Sequence, residues 1–490
     1  MFYFRLQLSS LVSNHIFSAK SFFSMKIAVE GCCHGELDAI YAHIQQLEAK
    51  NKYKVDALLI CGDFQAVRNH RDLQCMAVPN KYKQLQHFYK YYTGEKSAPI
   101  LTLVIGGNHE ASNYMWELYH GGWLAPNIYF LGHAGAVRLD GLRIAGSSGI
   151  FKPHDFRSGH YERLPYDNGS MRSIYHIREY NVRRLSLLSG ANIFLSHDWP
   201  QSIEHYGDLQ GLLSRKSFLR GDIDKGILGS PPLMGLLRTL QPEWWFAAHL
   251  HTRYEATIVH EESPQDAPAP VSQQNPEEIK IDDDDYVSSS APGAPTASSA
   301  KNPDEITLDD EEEAVEAPPQ FPPSKKTTKF LALDKCLPKR QFLEAAPHQF
   351  PSSGDDYRSP RLSFDPEWLA IARAFHPWLS ILRKQAPFPE ESEARAMVAR
   401  ELAWIELNVR RDEHGEIPVS DHQTFVMTAP GPGSEGQERN RQPRAYTNPQ
   451  TEAFCRMIDV LNRINPPPPP SGNTHIPVAS ALPPPEEVGA

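Results

Sequence analysis

The sequence predicts an α/β fold in which helices flank a largely buried β-sandwich. Between residues 25 and 260, short apolar runs alternate with segments whose apolar residues recur at helical spacing. Strands that alternate with helices are typical of sheets covered on their faces by helices. Five of the apolar runs also end in polar residues that could bind a ligand. The 490 residues leave room for two or three domains at roughly 100–200 residues each.

The predicted strands are spaced through the first half of the chain. The first begins at Met25 and includes Lys26–Val29. A helix follows, because apolar residues recur there three or four positions apart, at Leu37, Ile40, Tyr41, Ile44 and Leu47. The later strands are Asp56–Ile60, Ile100–Ile105, Ala191–Leu195 and Trp244–Ala248. In open α/β sheets, sites form beyond the carboxyl ends of the strands, so we expect the residues after all five strands to share one site.

The second half of the chain divides into segments of different composition. Residues 261–320 hold 17 acidic residues and two lysines, a net charge of −15 in a chain whose total is −11, so the other residues are mildly basic. We predict a disordered acidic linker over 261–325, because so few apolar residues cannot form a core; an acidic interaction segment is the alternative. Residues 327–425 predict a small, mostly helical C-terminal domain, and 428–490 a Pro-rich, mostly disordered tail with one brief helical interruption at 450–464.

Residues 1–24 form an N-terminal extension of uncertain status. Their composition, with Arg5, Lys20, six serines and no acidic residue, resembles an organelle transit peptide. The alternative, which we favour, is that Met25 is the true start, because a strand begins directly there. No run of about 18 apolar residues is present, so no membrane-spanning helix is expected. Six cysteines in 490 residues do not form a disulfide scaffold.

The strand ends carry residue types that bind divalent metals. Seven donors are too many for one tetrahedral ion, but they fit two ions that share a carboxylate. A thiolate among them shifts the metal preference towards zinc or iron. Taken singly, each residue is more often a surface or packing residue, and only the ordered set favours a metal site. The candidates are Cys32, His34, Asp63, Asn108, His197, His249 and His251, with a further imidazole in His109.

This order of motifs resembles that of the calcineurin-like metallophosphoesterases, which have D-x-H, G-D, G-N-H-D/E, H and G-H-x-H in succession. Cys32 replaces the first Asp of that pattern, and this replacement resembles the lariat debranching enzymes, a family of RNA 2′,5′-phosphodiesterases. The resemblance is dense over 25–260, which it identifies as a metallophosphoesterase catalytic domain, and weaker over 327–425, which resembles the C-terminal domain of debranching enzymes. Further similar stretches are Ser147–Lys152, Arg172–His176, Leu195–Pro200, Leu228–Pro231, Trp245–His251, Phe330–Lys335 and Leu362–Pro366.

The resemblance implies an enzyme that hydrolyses the 2′,5′-phosphodiester bond at the branch point of excised intron lariat RNA. The reaction would proceed by attack of a metal-bound hydroxide and give a linear intron. Two divalent ions would be bound; Fe²⁺ and Zn²⁺ are expected, with Mn²⁺ as the alternative. The expected partner is branched RNA, no membrane is involved, and the expected location is the nucleus.

The resemblance also implies a role for each site residue. His109 would protonate the leaving 2′-oxygen, Glu110 would orient His109, and Asp63 would bridge the two ions. Cys33 is one position out of phase with the donors, so we expect it to be structural. One ion would be bound by Cys32, His34, Asp63 and His251, and the other by Asp63, Asn108, His197 and His249.

Residues 148–178 are rich in basic and aromatic side chains. Cations bind phosphates, and aromatic rings stack on unpaired bases. Composition alone leaves open an ordinary solvated loop followed by a helix over Ser170–Leu188. The resemblance favours a lariat-recognition loop, with RNA-binding candidates Lys152, His154, Arg157, Tyr175 and Arg178.

Three alternative hypotheses remain, one of which is that the C-terminal half is an interaction module fused to the enzyme. Another metallophosphoesterase, such as a DNA nuclease or a phosphoprotein phosphatase, would use the same donors on a different substrate. A metal-free scaffold on the same fold is disfavoured, because the chain keeps a candidate donor at every position.

Overall fold

A computed structural model describes residues 23–261, 325–345, 350–352 and 360–468. The predicted acidic linker lies almost wholly outside these residues, as do residues 1–22 of the N-terminal extension and 469–490 of the tail. Within the described ranges, no helix is both long and apolar enough to cross a membrane.

The described residues form fifteen strands and thirteen α-helices. The strands are β1 Phe23–Met25, β2 Ile27–Glu30, β3 Ala57–Ile60, β4 Leu101–Val104, β5 Gly122–Ala125, β6 Ile128–Phe130, β7 Ala134–Leu139, β8 Leu142–Ser147, β9 Ile193–Ser196, β10 Trp244–Ala247, β11 Tyr254–Val259, β12 Thr327–Ala332, β13 Leu343–Ala345, β14 Phe350–Ser352 and β15 Leu362–Phe364. The helices are α1 Leu37–Asn51, α2 Phe88–Tyr92, α3 Ser112–Glu117, α4 Pro153–Phe156, α5 Ser170–Ser173, α6 Glu179–Ser186, α7 Leu209–Arg215, α8 Arg220–Asp224, α9 Pro231–Leu240, α10 Pro366–Phe375, α11 Glu391–Asn408, α12 Val419–His422 and α13 Pro449–Met457.

Two mixed sheets form the centre of the molecule, so the predicted α/β sandwich is confirmed. The first sheet has the order β13-β2-β3-β4-β6-β5, and the second has the order β11-β12-β10-β9-β8-β7-β15. Strands β2, β3, β4 and β6 run parallel, as do β8, β9, β10 and β12. Strands β1 and β14 pair separately. The five strands predicted from sequence are β2, β3, β4, β9 and β10.

The central strands are short and mostly apolar because both faces are covered. Along β2, Ile27 and Val29 belong to the core between the sheets, whereas Ala28 belongs to a second core under helix α1. Side chains alternate between the two faces of a strand, so a strand buried on both faces reads as a continuous apolar run. Helix α1 buries Leu37 and Ile40 on the second core.

The β7–β8 hairpin was not predicted from sequence. Its turn is Asp140-Gly141, and both residues have a positive φ, 45° and 85°. This conformation matches the right-handed twist of a tight hairpin, and an Asp-Gly pair is a recognised sign of it. The dipeptide could therefore have located the hairpin.

The region after residue 325 is not a separate body in the described structure. It is helical in α10 and α11, as predicted, but β12 is inserted between β10 and β11, and β15 lies at the far edge of the same sheet. Strand β13 adds to the first sheet beside β2. The C-terminal region therefore completes both sheets of the catalytic half, which composition could not reveal because the pairing partners are distant in sequence.

The prediction of a mostly disordered tail from residue 428 is wrong for residues 428–449, whereas the brief helical interruption predicted at 450–464 is confirmed by helix α13, Pro449–Met457. Tyr92 Oη donates to the carbonyl oxygen of Ala429 at 2.8 Å, and Asn69 Nδ2 donates to that of Pro430 at 2.8 Å. Further along, Phe454 and Ile464 are buried in the core between the sheets. Proline and glycine around Ala429 and Pro430 disfavour regular helix, but side chains of the catalytic half bind the backbone carbonyl groups of these two residues.

Candidate metal centre

The predicted donors follow five neighbouring strands of the two sheets. Cys32 and His34 follow β2, Asp63 follows β3 and Asn108 follows β4, all in the first sheet. The second sheet supplies His197 after β9, and His249 and His251 after β10. Because these strands are parallel, their carboxyl ends meet along one edge of the sandwich.

Four of the donors have backbone conformations in the left-handed region. The φ angles are 47° at His34, 45° at Asp63, 63° at His249 and 50° at His251. Non-glycine residues adopt this region at a cost of about 1 kcal/mol or more, and such residues concentrate at functional sites. The sharp turns direct the side chains towards one point. The packing of the surrounding sheets holds these strained backbone conformations in place.

The first donor group combines a thiol, two imidazoles and a carboxylate. Donor atoms of Cys32, His34, Asp63 and His251 all lie within 4.8 Å of one another. The Nε2 atoms of His34 and His251 are 3.1 Å apart, and His34 Nε2 is 3.5 Å from Asp63 Oδ2. A set of one sulfur, two nitrogens and one oxygen at this spacing fits a zinc-type or iron-type ion.

The second donor group shares Asp63 and centres on His197. His197 Nε2 lies 3.4 Å from Asp63 Oδ1 and 3.1 Å from Asn108 Oδ1. The ring of His249 is 5.0 Å from that of His197, between centroids. His197 Nδ1 donates to the carbonyl oxygen of Cys61 at 2.8 Å, which leaves Nε2 as the acceptor nitrogen and directs it at the site.

The protonation states around Asp63 fit metal binding. Burial alone would raise the pKa of Asp63, but the imidazoles of His197, His109 and His34 outweigh it and hold the pKa well below its ordinary value. Burial lowers the pKa of His197 to about 4 and that of His251 to about 3, so both rings are neutral near pH 7. A carboxylate and neutral imidazoles are the forms that bind a divalent cation.

Cys32 needs a cation to be a thiolate. Its side chain is fully buried, and burial together with the charge of Asp63 raises the pKa of the thiol well above its ordinary value. The one hydrogen bond to its sulfur comes from the backbone N–H of His249 at 3.2 Å, among the described residues. A metal ion at the first donor group would offset both penalties, since coordination deprotonates a thiol.

His109 stands at the edge of this centre. Its backbone N–H donates to Asp63 Oδ1 at 2.8 Å, and its Nδ1 lies 3.5 Å from Asp63 Oδ2. The side chain is 34% exposed, in contrast to the fully buried side chain of His197. His109 is thus placed where a substrate can reach it, next to the carboxylate that both donor groups share.

Glu110 does not have the role predicted for it. Its Oε1 accepts from the backbone N–H groups of Phe64 and Gly107 at 2.8 and 2.9 Å, and its Oε2 accepts from that of Gln65 at 2.8 Å. Each of these bonds comes from a backbone N–H group, so Glu110 holds the turn after β3 against the turn after β4 and positions His109 through the backbone, not through its imidazole ring. Burial, with the charge of Asp63, raises the pKa of Glu110 to about 8.

Cys33 and Cys32 lie in different cores. Cys32 belongs to the core between the sheets, whereas Cys33 belongs to the core under helix α1, together with Cys336. Cys33 is therefore directed away from the donor groups.

The 148–178 segment is anchored beside the metal centre. Gly149 N donates to the carbonyl oxygen of Gly106 at 2.8 Å, and Ile150 pairs with His176 in an isolated bridge. This bridge separates α5 from α6, so the continuous helix over Ser170–Leu188 does not form. Tyr175 lines a small cleft with Gly106 and Gly107, which follow strand β4.

The structure separates the RNA-binding candidates into two groups. Lys152, His154 and Arg157 are exposed, and Tyr175 is half-buried. Arg178 is fully buried; its Nη2 donates to Glu162 Oε1 at 2.5 Å and its Nη1 donates to the carbonyl oxygen of Asp155 at 2.7 Å. The prediction that Arg178 binds RNA is therefore wrong, because its guanidinium is buried and hydrogen-bonded inside the 148–178 segment. Its basic character in the sequence gave no sign of these acidic partners.

One neighbour of the centre was missed by sequence reasoning. Lys335 pairs with Cys32 in an isolated parallel bridge, although about 300 residues separate them. The stretch Phe330–Lys335 resembled its family counterpart, but no local pattern connected it to Cys32. The pairing of β12 with β10 and that of β13 with β2 bring the two segments together.

Two family models match the chain. The model described as calcineurin-like phosphoesterase matches residues 25–253, and the model described as the C-terminal domain of lariat debranching enzyme matches residues 325–463.

Curated proteins are similar over most of the chain. The lariat debranching enzyme of Schizosaccharomyces pombe is 41% identical over 473 residues, which cover 92% of this chain and 99% of that protein. The lariat debranching enzyme of Drosophila melanogaster is 46% identical, with 89% of this chain and 78% of that protein covered. The human lariat debranching enzyme is 40% identical, with coverages of 89% and 70%.

Proposed function

The chain belongs to the lariat debranching enzyme family of calcineurin-like phosphoesterases, and we propose that it hydrolyses the 2′,5′-phosphodiester bond at the branch point of lariat RNA. It is a metal-dependent phosphodiesterase in this assignment. The products are a linear RNA with a 5′-phosphate and a free 2′-hydroxyl at the former branch nucleotide.

The observation that carries the proposal is the shared carboxylate of Asp63. Its two oxygens face different donor groups: Oδ2 lies 3.5 Å from His34 Nε2, and Oδ1 lies 3.4 Å from His197 Nε2. Two divalent cations held in this way would supply a hydroxide nucleophile at neutral pH and stabilise the charge that develops on the phosphate.

The residues of the chain then position the reacting groups. Asp63 fixes the backbone of His109 through the 2.8 Å bond to its N–H, and Glu110 fixes the two turns relative to each other. These bonds hold His109 beside the site of attack. Orientation of this kind lowers the barrier because the groups need no further ordering as the reaction proceeds.

His109 donates the proton that the leaving group needs. A hydroxide adds to phosphorus, the bond from phosphorus to the 2′-oxygen breaks, and that oxygen takes a proton from the His109 imidazolium. Water restores the proton to His109, so the sum of the reaction is one water consumed. The proximity of Asp63 to His109 Nδ1 supports this role, because the carboxylate holds the imidazole ring beside the shared donor of the two groups.

We propose Fe²⁺ and Zn²⁺ as the bound metals, with Mn²⁺ as the alternative. The support is the sulfur of Cys32 in the first donor group, since a thiolate favours zinc and iron over harder ions. The second group, with amide and imidazole donors around Asp63, is less selective.

The exposed part of the 148–178 segment supports RNA binding. Lys152, His154 and Arg157 present their side chains to solvent, and Tyr175 lies in the cleft beside Gly107. Cations of this kind bind phosphates, and a half-buried aromatic ring can stack on a base.

We also propose that the protein acts in the nucleus, where introns are excised; imaging of a tagged chain tests this location.

Metal analysis paired with a cleavage assay tests the function. The purified protein is compared on a synthetic 2′,5′-branched RNA, a linear DNA and a phosphopeptide. We expect about two metal ions per chain and cleavage of the branched RNA alone. Preferred cleavage of the DNA or the phosphopeptide would instead support one of the two alternatives from the same fold.

A further inference from the structure

Lys335 lies beside the metal centre although it comes from the C-terminal region. Cys32 N donates to the carbonyl oxygen of Asp334 at 3.3 Å, and Cys336 N donates to that of Cys32 at 3.1 Å. Side chains alternate along paired extended segments, and Cys33 and Cys336 share the core under helix α1. Lys335 is the bridge partner of Cys32 and therefore lies on the face that carries the metal donors.

Lys335 places a cation beside the donors, because it pairs with Cys32 in an isolated parallel bridge. Within the described residues, no carboxylate forms an ion pair with Lys335. A cation next to a centre that binds two cations is unfavourable unless an anion binds between them. A phosphodiester of the substrate has the required charge.

Two further cations continue from Lys335 across the surface. Arg340 Nη1 lies 3.3 Å from Asp334 Oδ2. Lys216, at the end of helix α7, lies near enough to Asp334, Arg340 and Lys335 for their charges to act on its ammonium group. We name Lys216, Lys335 and Arg340 the cationic strip; Asp334 is the carboxylate among them.

The end of helix α7 supplies the outer part of this strip. Arg215 Nη2 donates to the carbonyl oxygen of Arg253 at 3.3 Å, two residues after His251. Phe218 is 73% exposed, and Lys216 Nζ lies 5.9 Å from the centroid of its ring. Cations next to an exposed aromatic ring are typical of surfaces that bind single-stranded nucleic acid, because phosphates pair with the cations and bases stack on the ring.

The cationic strip and the 148–178 segment flank the centre on different sides. The strip is joined to the end of β2 through Lys335, whereas the segment is anchored to the end of β4 through Gly106. In the first sheet, β3 with Asp63 lies between these two strands. Three RNA strands meet at a branched nucleotide. The 148–178 segment can bind one of them on the β4 side of the centre, and a second strand can then lie on the β2 side.

We propose that the cationic strip binds the phosphates of one RNA arm that leaves the branch point, with Lys335 at the phosphate nearest the metal centre. The proposal rests on the proposed function and adds a second RNA-binding surface to it. It also gives the C-terminal region a direct contact with substrate.

Salt-dependent binding tests this surface in the full-length protein. The probe is a branched RNA with a non-hydrolysable 2′,5′-linkage, together with three versions in which one arm is trimmed to a single nucleotide. For Lys335→Ala and Lys216→Ala, we expect the slope of log Kd against log salt to fall by about 0.7 each, since one phosphate contact on a single strand is lost. Trimming the arm that the cationic strip binds should lower the slope of log Kd against log salt for the wild-type protein by at least as much as one of these substitutions does.

Controls separate charge from structure. Lys335→Arg keeps the charge and should keep the slope, and Lys326→Ala removes an exposed lysine at the start of β12 and should change nothing. Metal content is measured for every variant; if Lys335→Ala loses metal, Lys216→Ala carries the test. Unchanged slopes for Lys335→Ala and Lys216→Ala would overturn the proposal that the cationic strip binds RNA. The proposed function would still stand if the wild-type protein cleaves branched RNA. A wild type that neither binds nor cleaves branched RNA would overturn the proposed function itself.

Discussion

Asp63 carries more of the site than any other single residue. Its carboxylate lies within 3.5 Å of nitrogens of His34, His109 and His197, and it also accepts the backbone N–H of His109. The residue is buried, and its φ of 45° places it in the left-handed region. Each prediction at the residue scale concerns a side chain that shares this carboxylate or the ions it would bridge.

Asp63→Ala should reduce debranching below about 1% of the wild type, because one change removes a donor from both ions. The measurement is turnover of branched RNA with and without added metal, alongside metal content. Activity above that level in added metal would exclude Asp63 as the bridging donor.

His109→Ala should keep both metals and lose about 10²–10⁴ in rate, the usual contribution of a general acid. The exposed, peripheral position of His109 is the reason that metal binding should survive. Metal content and single-turnover rates are measured together. Loss of half of the metal would make His109 a ligand instead.

Cys32→Asp should weaken retention of zinc or iron and shift the preferred activating ion towards Mn²⁺, since a carboxylate is harder than a thiolate. Cys33→Ser is the matched control, because Cys33 lies in the core under helix α1. Metal content after dialysis and activity titrated with Zn²⁺, Fe²⁺ and Mn²⁺ give the result. An effect of Cys33→Ser without one of Cys32→Asp would mean that the wrong cysteine is assigned as the donor.

The 148–178 segment is an element that combines an exposed basic surface with a buried ionic core. Arg178 pairs with Glu162 and lies 3.7 Å from Asp155 Oδ1, and all three side chains are buried. His176 Nδ1 approaches Asp155 Oδ2 to 2.7 Å. The core fixes the shape of the segment, so that Lys152 and Arg157 can be presented to RNA.

Arg178→Ala should lower the free energy of unfolding by about 3–5 kcal/mol, because it leaves Glu162 buried without its partner. Arg157→Ala, the matched exposed variant, should keep the stability and weaken RNA binding with a reduced salt dependence. Denaturant unfolding and RNA titrations are compared for the two. Wild-type stability in Arg178→Ala would contradict the buried role, and unchanged RNA binding in Arg157→Ala would remove that residue from the RNA surface.

At the scale of the whole molecule, residues 261–325 form an insertion into a hairpin. Strand β11 pairs antiparallel with β12, with Val259 opposite Thr327. His260 N donates to the carbonyl oxygen of Lys326 at 2.9 Å, so the two ends of the insertion meet. A short turn could therefore replace it without moving either strand.

Replacement of 265–320 by a short Gly-Ser turn should leave cleavage of small branched RNAs within about twofold, because a segment with few apolar residues adds nothing to the core. Truncation after residue 260 should abolish folding, since it removes β12 from the middle of the second sheet. Thermal unfolding and cleavage are measured for both. A collapse of activity in the first variant would mean that the acidic insertion contacts the enzyme, and a folded, active truncation would contradict the single-unit fold.

The sequence alone determined the strands that carry the site and the residue types at their ends. Strands β2, β3, β4, β9 and β10 were predictable because each is a short apolar run, and buried parallel strands must be apolar on both faces. The donors were predictable because they follow those runs directly, and parallel strands bring their carboxyl ends together.

The tertiary structure decided what each polar residue contacts. Glu110 and Arg178 look like site residues in the sequence, but both are buried. Glu110 accepts hydrogen bonds from backbone N–H groups, and Arg178 donates to Glu162 and Asp155. Lys335 carries no local signal and reaches Cys32 through the pairing of β12 with β10 and of β13 with β2. Periodicity reports the face on which a side chain lies, whereas the partner of a charge depends on other segments that the fold brings beside it.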